Sequence, residues 1–344
     1  MKRFLQIAAI AALTIFFLAL FLRNANLREV WSILRSTSVW WLVIGLAVNF
    51  MALLFRTIRW RTILDPDNPP PFYATFFANT VGYMISTILP IRAADVARPA
   101  LLARRTSHRF SGALGTVLTE RVLDLFSILS LFVFFALYRW SEFSHDPRTA
   151  RWFYVVKAGA VASAILMAAL FTLMIGLFFF RSYIRRLHEW LGRFIPKRFR
   201  DSWMHFFDTF TETLEITRHR AAFAKVLFCT AGVWACLTGQ FYFSVLALHR
   251  PLPFDASFFV TGVTTVGLAI PTPGGVGGFH KACQLVLTNF YHFDIDSSVA
   301  TAVLFHIVGT VPVVVTGLLL FVREGLRWRD VTRSTGQDTG APTV

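Results

Sequence analysis

Arg92, Asp95 and Arg98 follow Pro90 at intervals of three. Residues three apart share one face of a helix. Two guanidinium groups on one face form a bidentate clamp for a phosphate, with Asp95 between them to orient both. The same spacing also fits a solvated interfacial helix. A second group, Glu120, Arg121 and Asp124, falls inside a long apolar segment. Glu120 and Asp124 share a face, and Arg121 is placed to pair with Asp124 at i,i+3. Ionisable residues within a membrane span are costly and mark ion or substrate paths. If the apolar core starts only at Val122, the trio lies at the membrane interface instead. A third group is the run Pro271-Thr272-Pro273-Gly274-Gly275-Val276-Gly277-Gly278-Phe279-His280. Glycines before a helix start leave bare N–H groups, which suit an anion. The bland reading is a hairpin tip whose glycines permit close packing.

Catalytic signatures are missing. His188-Glu189-Trp190-Leu191-Gly192 lacks the second histidine of a zinc-protease helix, and no nucleophile elbow, dinucleotide fingerprint or Walker loop occurs. Cys229, Cys236 and Cys283 form no CxxC pair and no disulfide framework. We expect no metal, no cofactor and no enzyme activity. The expected chemistry is anion binding.

The elements that carry these residues are apolar. Of 344 residues, 55% are hydrophobic and 15% charged, and 37 are Phe. An ordinary soluble domain carries about 25% charged residues, so a disordered chain is excluded and the composition is unlike that of an ordinary soluble domain. A membrane span needs about 20 apolar residues. Phe4–Leu22, Val39–Phe55, Gly112–Tyr138, Val155–Phe180, Val226–Leu248 and Val299–Val322 meet that need, giving six spans. Arg23-Asn24 follows the first where a cleavage site would stand, which makes it a signal anchor. Phe72–Leu89 and Phe258–Ile270 are shorter or polar-speckled, and each ends at a proline, Pro90 or Pro271. Broken backbone at membrane depth needs protein or water around it, so these two read as re-entrant hairpins.

Charge gives an orientation. If both hairpins return to the side they entered, 24 of the 34 Lys and Arg fall on the face that holds both termini, and 8 on the other. The positive-inside rule puts that face in the cytoplasm. Arg23, Arg28 and Arg35 run against the trend. The formal charge of +15 fits anionic lipid rather than nucleic acid. Arg56, Arg59 and Trp60 close the second span and read as an interfacial anchor. Segment 181–225 reads as an amphipathic cytoplasmic belt, and 323–344 as a cytoplasmic tail.

The chain repeats itself at long range. Pro71-Phe72-Tyr73-Ala74-Thr75-Phe76-Phe77 matches Pro253-Phe254-Asp255-Ala256-Ser257-Phe258-Phe259 at five of seven positions. Each copy runs to a breaking proline, with one span before it and one after. Three spans separate the copies, so the second enters from the opposite face. The expectation is an inverted-topology repeat, about 39–138 and 226–322 within a domain over 1–322, built around a midplane site. In the second copy His306 stands where Glu120 stands in the first.

In order, Leu89-Pro90-Ile91-Arg92-Ala93-Ala94-Asp95-Val96-Ala97-Arg98, Leu118-Thr119-Glu120-Arg121-Val122-Leu123-Asp124 and Pro271-Thr272-Pro273-Gly274-Gly275-Val276-Gly277 resemble the motifs of the lysylphosphatidylglycerol synthase transmembrane-region, or flippase-like, family. The resemblance covers about residues 5–325 and implies an internal-repeat membrane fold that translocates a polar-headed lipid across the bacterial inner membrane. Ala94 and Asp95 replace the family's Gly and Glu, His280 stands where Glu is frequent, and His306 where Arg is common. The tail is too short for the aminoacyl-transferase domain of the bifunctional members, so aminoacylation is not expected.

The combined expectation is an all-α, polytopic, multi-pass membrane protein with six transmembrane helices, two re-entrant hairpins and both termini in the cytoplasm. Its ligand would be an anionic phospholipid or lipid-linked precursor, with no nucleic acid and with a lipid-synthesis enzyme as a possible partner. Arg92, Asp95, Arg98, Glu120, Arg121, Asp124, Gly274, Gly275, Gly277, His280 and His306 would contact the substrate or gate its path. The alternatives are a polytopic transferase using a lipid-phosphate donor, and a scaffold for an envelope-lipid synthase.

Overall fold

A computed structural model describes residues 2–88, 94–139, 150–179, 219–268, 270 and 272–325. Arg92, most of the 181–225 belt and the tail beyond 325 lie outside them. Among the described residues the chain is all helix and turn, with eleven α-helices and no strand. They are α1 Lys2–Leu22, α2 Leu27–Arg35, α3 Val39–Leu64, α4 Phe72–Ile88, α5 Ala94–Ala103, α6 Phe110–Tyr138, α7 Ala150–Phe179, α8 Arg220–Ala247, α9 Ala256–Gly267, α10 Gly278–Phe290 and α11 Ile295–Arg323. The protein is an all-α polytopic membrane protein. Five helices are long and apolar enough to cross a bilayer: α3, α6, α7, α8 and α11. They fall on five of the six expected spans. The sixth lies on α1, whose 21 residues extend about 30 Å at the rise of an α-helix.

Helix ends follow local chemistry. The Asn26 side chain accepts the Arg28 N–H at 3.1 Å to start α2, and the Asp294 carboxylate accepts the Ser297 N–H at 2.7 Å to start α11. Helix α3 runs to Leu64, nine residues past the expected end of its span at Phe55. Thr57 and Thr62 turn their hydroxyls onto the Leu53 and Ile58 carbonyls of the preceding turn, so the helix absorbs these polar side chains without breaking.

Short helices pair in two hairpins. Helix α4 packs on α5, and α9 on α10. The Ser86 hydroxyl accepts the Ala94 N–H and ties the end of α4 to the start of α5. Both hairpins close on glycine. A Cβ at Gly82 would stand 2.4 Å from Arg98 Cγ, and one at Gly267 would stand 2.7 Å from the Gly278 carbonyl oxygen. Only a hydrogen fits at either place.

The most extensive helix interface joins α3 to α8. Around it α4 packs on α11 as α9 packs on α6, α5 on α6 as α10 on α11, α3 on α4 as α8 on α9, α3 on α6 as α8 on α11, and α3 on α11 as α8 on α6. Two large apolar cores result among the described residues, with a small third around Ile63 and Val226. One gathers Phe135, Phe241, Phe259, Phe279 and Phe305, and the other Trp60, Phe77, Met84, Leu101, Val117 and Phe321. Tyr154, Ile165 and Phe171 on α7, with Leu318, Leu319 and Val322 on α11, point outward as lipid requires.

Candidate functional site

Helices α3, α5 and α6 bring six charged side chains together. Arg59 on α3 gives its Nε–H to Glu120 Oε1 at 3.3 Å, and its two terminal nitrogens to the Asp124 oxygens at 2.7 and 3.3 Å. Arg98 on α5 gives Nη2–H to the other Glu120 oxygen at 2.7 Å. Arg121 reaches Asp95 at 2.5 Å and Asp124 at 3.5 Å. Three guanidiniums therefore face three carboxylates. Arg59 and Glu120 are each 1% exposed and Arg98 is 0% exposed, so at these residues the pairs stand clear of solvent. Charges so buried persist only when paired and hydrogen-bonded.

Aromatic rings frame the network. The Arg98 guanidinium lies 4.3 Å from the Trp60 ring centre and 5.1 Å from that of Tyr83, and Arg56 lies 5.0 Å from the same Tyr83 ring. The Trp60 indole N–H is spent on the Thr116 hydroxyl at 3.0 Å. Arg98 Nη1 reaches the Tyr83 hydroxyl at 3.4 Å, while its buried Nε–H has no hydrogen-bond partner among the described residues.

Several expectations change here. Asp95 and Arg98 do face the same way, but Asp95 binds Arg121 and Arg98 binds Glu120, adjacent residues of α6. Asp95 therefore does not orient Arg98. Glu120 is buried in protein. Arg59 and Trp60 are no interfacial anchor: both are fully enclosed, because α3 continues past its apolar core into the first hairpin and α6. Arg92 lies outside the described residues.

The glycine run makes a tight loop. Gly274, Gly275 and Gly277 hold φ of 59°, 72° and 98°, a region that side chains disfavour. The loop meets α4, since a Cβ on Gly274 would stand 3.2 Å from the Thr87 carbonyl oxygen. Two histidines hold it. His306 donates Nε2–H to the Gly274 carbonyl at 2.8 Å, and His280 accepts the Gly277 N–H at Nδ1 over 3.4 Å. A carbonyl only accepts and an amide only donates, so these contacts fix one tautomer for each ring. The rings stand 4.6 Å apart. Arg98 and His280 each follow the first proline of their motif copy by 27 residues.

The structure separates the sequence candidates into two groups. Asp95, Arg98, Glu120, Arg121 and Asp124 meet in one network, and Gly274, Gly275, Gly277, His280 and His306 in one loop. Arg59, Trp60, Tyr83 and Thr230, whose hydroxyl accepts from Arg59 Nη1 at 3.5 Å, join the first group without having been singled out for it. The available signal was arithmetic: two carboxylates on one face of a span, with Arg121 able to serve one, require another cation. Among the described residues no group of three or more His, Cys, Asp or Glu could hold a metal ion.

The chain is similar to known membrane proteins. Over 239 residues it is 25% identical to a UPF0104 membrane protein of Methanocaldococcus jannaschii, covering 69% of this chain and 92% of that protein. The family model for the lysylphosphatidylglycerol synthase transmembrane region matches residues 5–317, nearly the whole length. The chain belongs to the lysylphosphatidylglycerol synthase transmembrane-region family, a family of multi-pass membrane proteins.

Proposed function

We propose that this protein carries an anionic phospholipid or a lipid-linked precursor between the leaflets of the bacterial inner membrane, with both termini in the cytoplasm. The observation that supports it is the packing scheme. Exchange α3 with α8, α4 with α9, α5 with α10 and α6 with α11, and each of the extensive helix contacts among these eight maps onto another, the α3–α8 contact onto itself. Such an arrangement is what an inverted repeat produces, and inverted repeats serve alternating access to a site at mid-depth. In this reading α4–α5 and α9–α10 are the re-entrant hairpins, one from each face.

The headgroup phosphate is held by Arg92, Arg98 and the backbone of 274–278, while the acyl chains stay in lipid. Arg98 has a buried Nε–H to offer. Glu120 is the internal anion that occupies the Arg98 fork when no phosphate does. Arg59, Arg121, Asp124 and His306 hold the surrounding charges and loop in place.

The test is a liposome assay with fluorescent lipid analogues. The wild-type chain moves anionic analogues across the bilayer, and the Arg92→Ala/Arg98→Ala double variant loses that movement. Unchanged flipping in the double variant overturns the phosphate site, and no flipping by the wild-type chain overturns the carrier.

A further inference from the structure

Two polar clasps join the halves at equivalent places. The Tyr73 hydroxyl donates to Glu324 Oε1 at 2.5 Å, and Arg105 Nη2 donates to Glu324 Oε2 at 2.6 Å. In the other clasp Arg139 donates Nε–H and Nη2–H to the two Asp255 oxygens at 2.6 and 2.9 Å. Tyr73 and Asp255 are both the third residue of the repeated motif. Glu324 and Arg139 are both the capping residue just past the end of a 29-residue helix, α11 or α6. Each clasp therefore fastens the start of one half's short helix to the end of the other half's long helix. The acidic partner changes sides between them. That the chemistry differs while the positions agree points to a requirement for closure at that place.

Behind each clasp the same two helices stay in contact. A Cβ on Gly317 of α11 would stand 2.7 Å from Met84 Cβ on α4. Phe135 of α6 stacks on Phe259 of α9 with ring centres 4.2 Å apart. A headgroup passing between a hairpin and the opposite half has to open either seam. The clasps are also reachable: their charged side chains are 19% to 26% exposed, so water can take over from either partner.

We propose that the Tyr73–Arg105–Glu324 and Arg139–Asp255 clasps are the two latches of the carrier, at opposite faces of the membrane, and that opening one favours closure of the other. The inference rests on the alternating-access reading above. With both latches closed, this structure is the occluded state. The orientation from Lys and Arg counts places the Glu324 latch at the cytoplasmic face and the Asp255 latch at the other.

The test reads sidedness with one reporter. Thr87 is partly buried and lies where α4 meets the glycine loop. Thr87→Cys is introduced into the full chain with Cys229, Cys236 and Cys283 replaced by alanine, and reconstituted into vesicles of known orientation. A membrane-impermeant thiol reagent is added from either side. Glu324→Gln raises labelling from the cytoplasmic face about three- to tenfold and lowers it from the other, as loss of a charge-assisted hydrogen bond allows. Asp255→Asn does the reverse. Tyr73→Phe, which removes one hydrogen bond, shifts labelling as Glu324→Gln does but less. Labelling that rises from both faces, or changes from neither, overturns the latches. Opposite shifts in a chain that moves no lipid overturn the carrier reading and leave the latches standing.

Discussion

Arg59 and Glu120 meet at 3.3 Å in the interior although 61 residues separate them in the chain. Glu120 also receives Arg98, and Arg59 also grips Asp124 with two nitrogens. The pair is thus a joint between the second long helix, the first hairpin and the third long helix. A joint of this kind is strong only while it is complete. Removing one member leaves the others charged and buried, which costs more than the pair itself contributes.

The first prediction follows from geometry. Arg59 spends three separate N–H groups on two carboxylates, a pattern that a lysine ammonium on a flexible stem does not reproduce. Arg59→Lys therefore behaves almost as badly as Arg59→Ala, and each destabilises the protein by about 3–5 kcal/mol. Asp124→Asn costs less, because Asp124 is 19% exposed and water helps to solvate what remains. Thermal unfolding in detergent measures the order. A lysine variant that melts like wild type removes the forked arrangement.

Gly82 carries the second prediction. The Arg98 stem crosses α4 where a Cβ would stand 2.4 Å away, and the Arg98 backbone nitrogen would be at 3.3 Å. Gly82→Ala pushes α5 off α4 and pulls Arg98 from Glu120. Overpacking of this kind costs about 1–3 kcal/mol. The loss is smaller in an Arg98→Ala background, since the obstructing side chain is gone. A double-mutant cycle by thermal unfolding reads that coupling, and strict additivity of the two changes contradicts it.

The long helices were legible because bilayer thickness dictates their length, and apolar runs of that length are conspicuous. The motif residues were legible as charges in the wrong place. What composition hid was their partner choice. Arg59 sits in a sequence, Arg56-Thr57-Ile58-Arg59-Trp60-Arg61, that looks like a membrane edge. It is buried against α6 and α8, where Glu120, Asp124 and Thr230 accept its hydrogen bonds, and no local spacing encodes that cover. Asp95 and Arg98 show the same limit from the other side. Their spacing put both on the face toward α6, but which carboxylate took which guanidinium depended on the register between α5 and α6. The residues just past the long helices, Arg139 and Glu324, carried no local signal, since each gains its meaning from a motif more than a hundred residues away.

His306 supports the third prediction. Its Nε2–H is the side-chain donor on the Gly274 carbonyl, in a loop whose three positive φ angles all fall on glycines. His306→Ala frees the loop. Hydrogen exchange at 272–278 then rises, by about tenfold if the lost bond is a typical one. His306→Gln keeps an N–H donor within similar reach and restores most of the protection. Equal exchange in the alanine variant and the wild type shows that packing of Phe279 against Gly275 and of Phe17 against Gly277, and not the histidine, holds the loop.

The last prediction concerns acid. The Glu324 carboxyl is drawn below its ordinary value, first by the Arg105 hydrogen bond and next by the Tyr73 hydroxyl, with Arg323 adding a weaker pull. A carboxyl with a depressed folded-state pKa stabilises the fold fully above its unfolded value, and that contribution disappears as pH falls through the depressed one. Wild type and Glu324→Gln therefore differ in melting temperature by a constant amount at neutral pH. The gap narrows once the pH drops below about 4.5, the ordinary carboxyl value. Glu324 is the carboxyl of this clasp, and the Tyr73 hydroxyl, which is held above its ordinary value first by its hydrogen bond to Glu324, stays protonated there. Melting curves of both chains from neutral to strongly acid pH decide it. A gap that closes near pH 6–7 would assign the effect to a histidine instead, and one that never closes would mean that the clasp is held by shape and not by charge.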